Sequence, residues 1–225
     1  MTRTTNARIA GVTYLLYIVI GVTNLMLGGA TSATGIGPKL ALIAQHASQV
    51  RIEALLSVLT GFIAITLGVA LYGLTRDEDH ELAVIGLACR VCEGFIGVFP
   101  LATLGLLWLA TASAGANVPG VEGAHTLAAF LVKMRGWQVI TAATLFAVGS
   151  SIFSCLFLRG RMIPRSLAWL GVAASVLLVV LLPIQLIGVL RGPIVQLMWL
   201  PMALFEIPLG FWLIIKGAAS RVVTK

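Results

Sequence analysis

The chain has 225 residues, of which 59% are hydrophobic and only 10% are charged, and its mean hydropathy is +1.04. A water-soluble fold of this length could not cover so much apolar surface, so the composition excludes a soluble domain. The net charge of +7 requires no nucleic-acid partner, because a basic rim beside anionic membrane lipids accounts for it.

Six apolar runs follow one another along the chain, and each has about the 20 residues, or more, that cross a hydrocarbon core. They cover residues 9–27, 52–74, 82–112, 137–158, 167–190 and 195–215. None shows the alternation typical of barrel strands. The sequence therefore predicts an all-α integral membrane bundle of six transmembrane helices, forming a single domain over residues 1–225.

Three further features concern the ends of these runs. Arg3 and Arg8 precede the first run, as in a signal peptide, but the run is longer than a signal core, which favours a retained anchor. Residues 38–50 are expected to form an interfacial helix before the second span, with Pro38 near its start. Residues 126–134 could play the same part before the fourth span.

The distribution of Lys and Arg predicts the orientation, because positive charge is retained on the cytoplasmic side. With six spans, the side that holds both chain ends has nine cations and the other side has five. The nine are Arg3, Arg8, Arg76, Arg159, Arg161, Arg165, Lys216, Arg221 and Lys225, and the five are Lys39, Arg51, Lys133, Arg135 and Arg191. Both termini are therefore expected in the cytoplasm.

Three ionisable residues fall inside the predicted spans, where a charge is expensive and normally faces a cavity or a partner. Arg90 and Glu93 lie about 12 and 16 Å from the cytoplasmic end of the third span, and Glu206 lies about 15 Å into the sixth. Arg90 and Glu93 share one helix face. Because Gly86 and Gly97 continue that face and Gly210 follows Glu206 by one turn, we expect the third and sixth spans to approach closely.

These three residues allow two interpretations. They can form a structural ion network, in which Arg90 pairs with Glu93 and Glu206 is a second acceptor. Alternatively they form a functional site, because one cation facing two carboxylates leaves a negative charge in low dielectric, so that one Glu is protonated or something positive joins the site. Glu206 and Glu93 are then the candidate acid or proton sites.

A second polar layer is predicted toward the outer face of the membrane. Its members are Asn24, Arg51, Glu53, Lys133, Arg135, Gln138 and Gln185, of which Arg51, Glu53 and Gln138 join Arg90, Glu93 and Glu206 as candidate ligand-binding residues. The surplus positive charge in this layer is suited to a carboxylate or a lipid phosphate. The alternative is that Arg51, Lys133 and Arg135 only extend to the headgroups.

Two local motifs carry less weight. Cys89 and Cys92 form a C-x-x-C in mid-span with no second pair and no nearby His, so we expect no metal site and no cofactor. Pro201 and Pro208 bracket Glu206, which would permit local unwinding as in transporters with broken helices, although proline is also common in membrane helices.

Several stretches resemble one bacterial membrane family. They are residues 7–12 (ARIAGV), Tyr14-Leu15-Leu16, Arg51, Arg90 with Glu93, and residues 201–217, which contain Phe-Glu-x-x-x-Gly-x-Trp. This pattern resembles the proteins grouped as domain of unknown function 4386, and the likeness covers nearly the whole chain. The resemblance implies a multi-pass protein of the bacterial plasma membrane and implies no activity.

Three functions stay open from the sequence. The bundle can bind or transport a small amphiphilic or lipid-soluble molecule in an intramembrane polar pocket, and the absence of a buried His or Asp beside the acids favours this over catalysis. It can be an intramembrane acid–base enzyme, cyclase- or isomerase-like, acting on a lipid or prenyl substrate, by analogy alone. Or it is a structural module whose partners are membrane lipids and proteins.

Overall fold

A computed structural model describes residues 2–112 and 119–219. In these ranges the helices are α1 (Arg3–Ala30), α2 (Ile36–Gln45), α3 (Ala47–Thr75), α4 (His80–Val98), α5 (Leu101–Thr111), α6 (Val121–Arg159), α7 (Arg165–Leu186), α8 (Ile194–Leu197) and α9 (Leu200–Ile215). Six helical segments are long and apolar enough to cross a membrane, counting α4 with α5 and α8 with α9 as one each. The fold is the predicted all-α, multi-pass membrane bundle. Residues 113–118, between the third and fourth predicted spans, and the predicted cytoplasmic cations Arg221 and Lys225 lie outside the described residues.

The spanning helices form a ring. Neighbours in it are α1 and α3, α3 and α4, α4 and α6, α6 and α7, α7 and α9, and finally α9 and α1. Buried residues from all six make one apolar core. A smaller apolar cluster joins α2 and α5 to the first half of α6, around Ile43, Leu106 and Ala128. The contact between α9 and α1 closes the ring and brings the two ends of the described chain together.

The predicted third span, 82–112, is not one continuous helix. α4 ends at Val98 and α5 begins at Leu101, with Phe99 and Pro100 between them. Pro100 has no N–H to continue the helix, and the residue before a proline is disfavoured in helical conformation. Phe99 accordingly has φ −110° and ψ 78°.

Two further helices differ in length from the predicted apolar runs. α6 extends beyond the run 137–158, because it continues unbroken from Val121 through 126–134 to Arg159; Lys133 and Arg135 end the apolar run without ending the helix. α7 ends at Leu186, before Gly188 with φ +81°, whereas the apolar run continues to 190. Residues 38–50 form α2 and the start of α3.

The sixth predicted span begins with the short α8 and continues as α9. α9 remains helical from Leu200 to Ile215 although it contains Pro208, and Pro201 lies in its first turn. Of the two interpretations of these prolines, the helix agrees with the one that treats them as ordinary residues of a membrane helix, since α9 is not unwound beside Glu206. A proline in the first turn removes only an N–H that has no helical partner.

Candidate functional site

Arg90 lies at the centre of the ring and is fully buried. Its Nη1 atom donates a hydrogen bond to Oε2 of Glu93 at 3.0 Å, and Nη2 donates to Oγ of Ser150 in α6, also at 3.0 Å. Nη2 is also 4.0 Å from Oε1 of Glu206 in α9. The structure thus brings together the three ionisable residues that the sequence singled out. We call Arg90, Glu93 and Glu206, with the groups that contact them, the inner network.

Aromatic residues also contact the inner network, among them Tyr17 and Phe146. The Tyr17 hydroxyl donates to Oε1 of Glu93 at 2.6 Å, which links α1 to α4. Cζ of Arg90 is 4.5 Å from the centre of the Phe146 ring, a cation–π distance. The Tyr17 and Phe146 rings are stacked, with centroids 6.1 Å apart and an interplanar angle of 12°. Four helices therefore contribute to one charged centre.

Not every polar atom of the inner network has a partner. Within the described residues, Oε1 of Glu206 and Nε of Arg90 are buried and make no hydrogen bond. Glu93, in contrast, has a bond at each oxygen. Of the two carboxylates, Glu206 is thus the one whose charge is less compensated, and it is the better placed to hold a proton or to meet an added positive group.

The expected close approach of the third and sixth spans is wrong. α4 and α9 are not neighbours in the ring, and their glycines face other helices. A Cβ on Gly86 would lie 3.0 Å from the Phe153 ring in α6, one on Gly97 would lie 3.4 Å from Cα of Gly61 in α3, and one on Gly210 would lie 2.9 Å from Leu15 in α1. The long Arg90 side chain spans the distance between α4 and Glu206, so close helix packing is not required.

A cavity of about 650 Å³ lies beside the inner network, on the side away from the start of α1 and the end of α9. We call it the cleft. Its walls come from α1, α3, α6, α8 and the junction of α4 with α5, and they combine polar and apolar groups. The lining residues are Gly21, Asn24, Leu25, Gly28, Gly29, Ser32, Glu53, Ser57, Ile96, Gly97, Pro100, Thr103, Arg135, Gln138, Val139, Ala142 and Gln196.

Polar side chains of the cleft are held by specific contacts. Arg135 forms an ion pair with the buried Glu53, which joins α6 to α3. Nε2 of Gln138 donates to the carbonyl oxygens of Ile96 and Phe99, at 2.8 and 2.9 Å. Because Pro100 interrupts the helix there, Gln138 bonds carbonyls at the break between α4 and α5. Oδ1 of Asn24 is buried and accepts no hydrogen bond from the described residues.

The outer layer predicted from the sequence is only partly assembled in the cleft. Asn24, Glu53, Arg135 and Gln138 line it, whereas Arg51, Lys133 and Gln185 do not. The Arg51 and Lys133 side chains are exposed, which agrees with the alternative that they extend to headgroups. Gln185, in α7, is half-buried.

The cleft ends close to the inner network. Three of its lining residues, Gly21, Gly97 and Ala142, are each four positions from a residue of the network, namely Tyr17, Glu93 and Phe146. Four residues are about one helical turn, or roughly 6 Å. The bond between Tyr17 and Glu93 thus lies about one turn beneath the inner end of the cleft.

Sequence reasoning did not find Tyr17, Phe146 or Ser150. Tyrosines, phenylalanines and serines are ordinary in membrane helices, and nothing in their spacing distinguishes these three. The only signal is that a phenol in mid-span needs a hydrogen-bond partner. Cys92, in contrast, is exposed on α4 and Cys89 is half-buried, so the C-x-x-C does not belong to the site.

Comparison with known proteins adds a family and no activity. Neither curated proteins nor solved structures yield a match to the chain. The family model described as domain of unknown function (DUF4386) matches residues 9–217, which contain the inner network and the cleft. The chain therefore belongs to the DUF4386 family.

Proposed function

We propose that this protein binds a small amphiphilic molecule in the cleft, as part of carrying it within or across the membrane. The observation that supports this most is the cleft itself. Its volume of about 650 Å³ is within the range of roughly 300 to 1,000 Å³ that small-molecule sites occupy. Polar groups that face lipid tails would have no hydrogen-bond partner, and a space of this size between membrane helices allows a ligand to reach them and supply one.

The chemistry of the walls supports an amphiphilic ligand. The ion pair of the half-buried Arg135 with the buried Glu53, and Oδ1 of Asn24, which has no partner among the described residues, provide a polar side that suits a hydrogen-bond donor. Leu25, Ile96 and Val139 provide an apolar side. A ligand with one polar end and a compact apolar body satisfies both sides, because polar wall atoms are then bonded and apolar wall atoms stay out of water.

The inner network allows binding of the molecule to be coupled to binding of a proton or another cation. With one guanidinium and two carboxylates, the network is balanced only when a proton or another cation joins it. Since the Tyr17–Glu93 bond lies about one turn beneath the cleft, Glu93 is the network carboxylate nearer to a cationic ligand or a proton in the cleft. Glu206 Oε1, which has no hydrogen bond among the described residues, can hold the proton farther in. Glu206 does not line the cleft.

The acid–base enzyme remains the alternative. Under it the acid is Glu93, since this is the network carboxylate nearer to the cleft: the Tyr17 hydroxyl gives its own proton to the substrate while a protonated Glu93, turned to donate, returns a proton to the phenol oxygen. The binding function is preferred because Arg90 and Tyr17 occupy both oxygens of Glu93. An acid in catalysis needs an oxygen that can reach the substrate.

Blocking the cleft tests the binding function. A Cβ on Gly21 would meet nothing within 4 Å, so Gly21→Leu should fill the cleft without disturbing the helices. Gly136→Leu is the matched control, because Gly136 is also in mid-helix with open space around it and does not line the cleft. Protein purified in mild detergent would be analysed by native mass spectrometry for co-purifying small molecules.

We expect a small molecule to be retained by the wild type and by Gly136→Leu and to be lost from Gly21→Leu. Equal retention by all three proteins would contradict binding in the cleft. A chemically altered form of the retained molecule, present with wild type and absent with Glu93→Gln, would favour the enzyme.

We also propose that the protein lies in the bacterial plasma membrane with both ends in the cytoplasm. The excess of Lys and Arg on the side of the chain ends and the family resemblance support this. Fusions of a reporter that is active on only one side of the membrane to the C-terminus and to the 31–35 connection would test it. The two fusions should report opposite sides.

A further inference from the structure

A second cavity, of about 240 Å³, lies at the opposite end of the bundle from the outer layer, between the start of α1 and the end of α9. Three cationic side chains line it: Arg3, Arg8 and Lys216. Among the described residues that line it, none is acidic. Within the described residues, none of the three cations forms an ion pair.

The turn after α9 builds one wall of this cavity. Gly217 has φ +73°, a conformation that favours glycine, and its N–H donates to the carbonyl of Trp212. The chain then turns back toward α1, where Arg3 donates to the carbonyls of Ala218 and Ala219, at 3.4 and 2.8 Å. Two contacts therefore hold the Arg3 guanidinium at the cavity.

The start of α1 adds to the positive potential. Arg3 and Thr4 line the cavity and belong to the first turn of α1, so their N–H groups have no partner within the helix. Such groups favour a nearby anion. The three cations without an ion pair among the described residues supply most of the positive potential, and the helix start only adds to it.

We infer that Arg3, Arg8 and Lys216 bind a phosphate group, carried by the headgroup of an anionic phospholipid. A cavity of about 240 Å³ is smaller than a site for a whole drug-sized molecule, but suits a headgroup. Ile215 lines the cavity and is 73% exposed, and Phe211, one turn deeper in the membrane, is 52% exposed. These side chains offer an apolar surface along which an acyl chain leaves the cavity.

This site is separate from the cleft, so its test does not depend on the proposed function. The double variant Arg8→Gln/Lys216→Gln removes two charges from exposed side chains. Arg161→Gln/Arg165→Gln is the matched control: it also removes two charges from exposed side chains, at the α6–α7 connection on the same membrane face. Arg8→Lys/Lys216→Arg keeps both charges.

Phosphatidylglycerol and phosphatidylcholine would be titrated into each delipidated protein in detergent, with bound lipid counted by native mass spectrometry. We expect the wild type, the control and the charge-conserving variant to bind phosphatidylglycerol at least tenfold more tightly than the Arg8→Gln/Lys216→Gln protein. Binding of phosphatidylcholine should be unaffected. Equal affinity of the double variant and the wild type would overturn the inference, as would an equal loss in the control, which would indicate net charge alone.

Inorganic phosphate distinguishes the two sources of the same group. Retention of phosphatidylglycerol in millimolar phosphate would identify the lipid headgroup as the ligand. If inorganic phosphate displaces phosphatidylglycerol, and does so only when Arg8 and Lys216 are present, these residues bind the phosphate group itself, whether it is free or part of a lipid. Melting temperatures of all variants, measured in the same detergent, exclude loss of the fold as the cause.

Discussion

Nη2 of Arg90 lies 4.0 Å from Oε1 of Glu206, whereas Nη1 of the same guanidinium donates to Glu93 at 3.0 Å. The two carboxylates are therefore unequal partners of one cation. Glu93 bonds to Arg90 and to Tyr17, and Glu206 Oε1 is buried without a hydrogen bond in the described part of the chain. This inequality predicts different effects for variants that look alike in sequence.

Arg90→Met should destabilise the protein by about 3 to 5 kcal/mol, because it leaves two buried carboxylates without their cation. Glu93→Gln should lower the free energy of unfolding by less than Arg90→Met does. Glu206→Gln should change it by no more than about 1 kcal/mol, because it replaces an oxygen that accepts no hydrogen bond. Equilibrium unfolding in mixed micelles of SDS and dodecyl maltoside would rank the three. A larger loss of unfolding free energy for Glu206→Gln than for Glu93→Gln would contradict the unequal pairing of the two carboxylates with Arg90.

Tyr17→Phe keeps the ring that stacks on Phe146 and removes the hydroxyl that donates to Glu93. Hydrogen bonds to charged groups contribute about 1.5 to 3 kcal/mol, so we expect a loss of that order in the same unfolding measurement. Tyr17→Phe should cause a smaller loss of unfolding free energy when it is made in the Glu93→Gln variant, which has no charged acceptor for the hydroxyl. Tyr72→Phe, whose ring packs against His80 away from the inner network, is the control. Equal losses for both tyrosines would mean that the Tyr17 bond has no special role.

Gly61→Ala should weaken the contact between α3 and α4. A Cβ at Gly61 would lie 2.6 Å from the Gly94 carbonyl oxygen, and backbone atoms cannot move aside as a flexible side chain can. Overpacking of this kind costs about 1 to 3 kcal/mol. Gly136→Ala, with open space, should instead be neutral or stabilising by up to about 1 kcal/mol. Melting temperatures that fall equally for both would show that the close contact is not the cause.

Gln138→Leu should loosen the break between α4 and α5. The change removes the donor to the Ile96 and Phe99 carbonyls, at a cost of about 1 kcal/mol for each bond. Hydrogen–deuterium exchange at residues 99–105 should become faster. Gln185→Leu should leave exchange there unchanged, since its buried oxygen makes no bond in the described structure. Unchanged exchange in Gln138→Leu would show that proline alone maintains the break.

The six spans could be predicted because hydrocarbon imposes a long apolar run on every crossing. The proximity of Arg90 and Glu93 could be predicted too, since a spacing of three residues places them on one helix face. The limits of α6 could not. Arg135 ends the apolar run, but its charge is compensated by Glu53, a contact between distant parts of the chain that periodicity does not encode.

The partners of the inner network could not be predicted for the same reason. Which helix faces which depends on the ring order, and the glycine pattern suggested a contact between α4 and α9 that the fold does not make. Once the order is known, Tyr17, Phe146 and Ser150 fall on the faces directed at Arg90.

The contact between α1 and α9 also affects how the protein is made. A Cβ on Gly11 would lie 2.6 Å from the Gly210 carbonyl, so these helices meet at nearly backbone distance. During synthesis α1 leaves the ribosome first of the six spans and α9 last. Until α9 is inserted, α1 lacks this neighbour, and the buried Ala7, Ala10 and Tyr14 have no complete covering. The ring therefore closes only after α9 has been synthesised and inserted, and stalled chains that lack α9 should be substrates for membrane quality control.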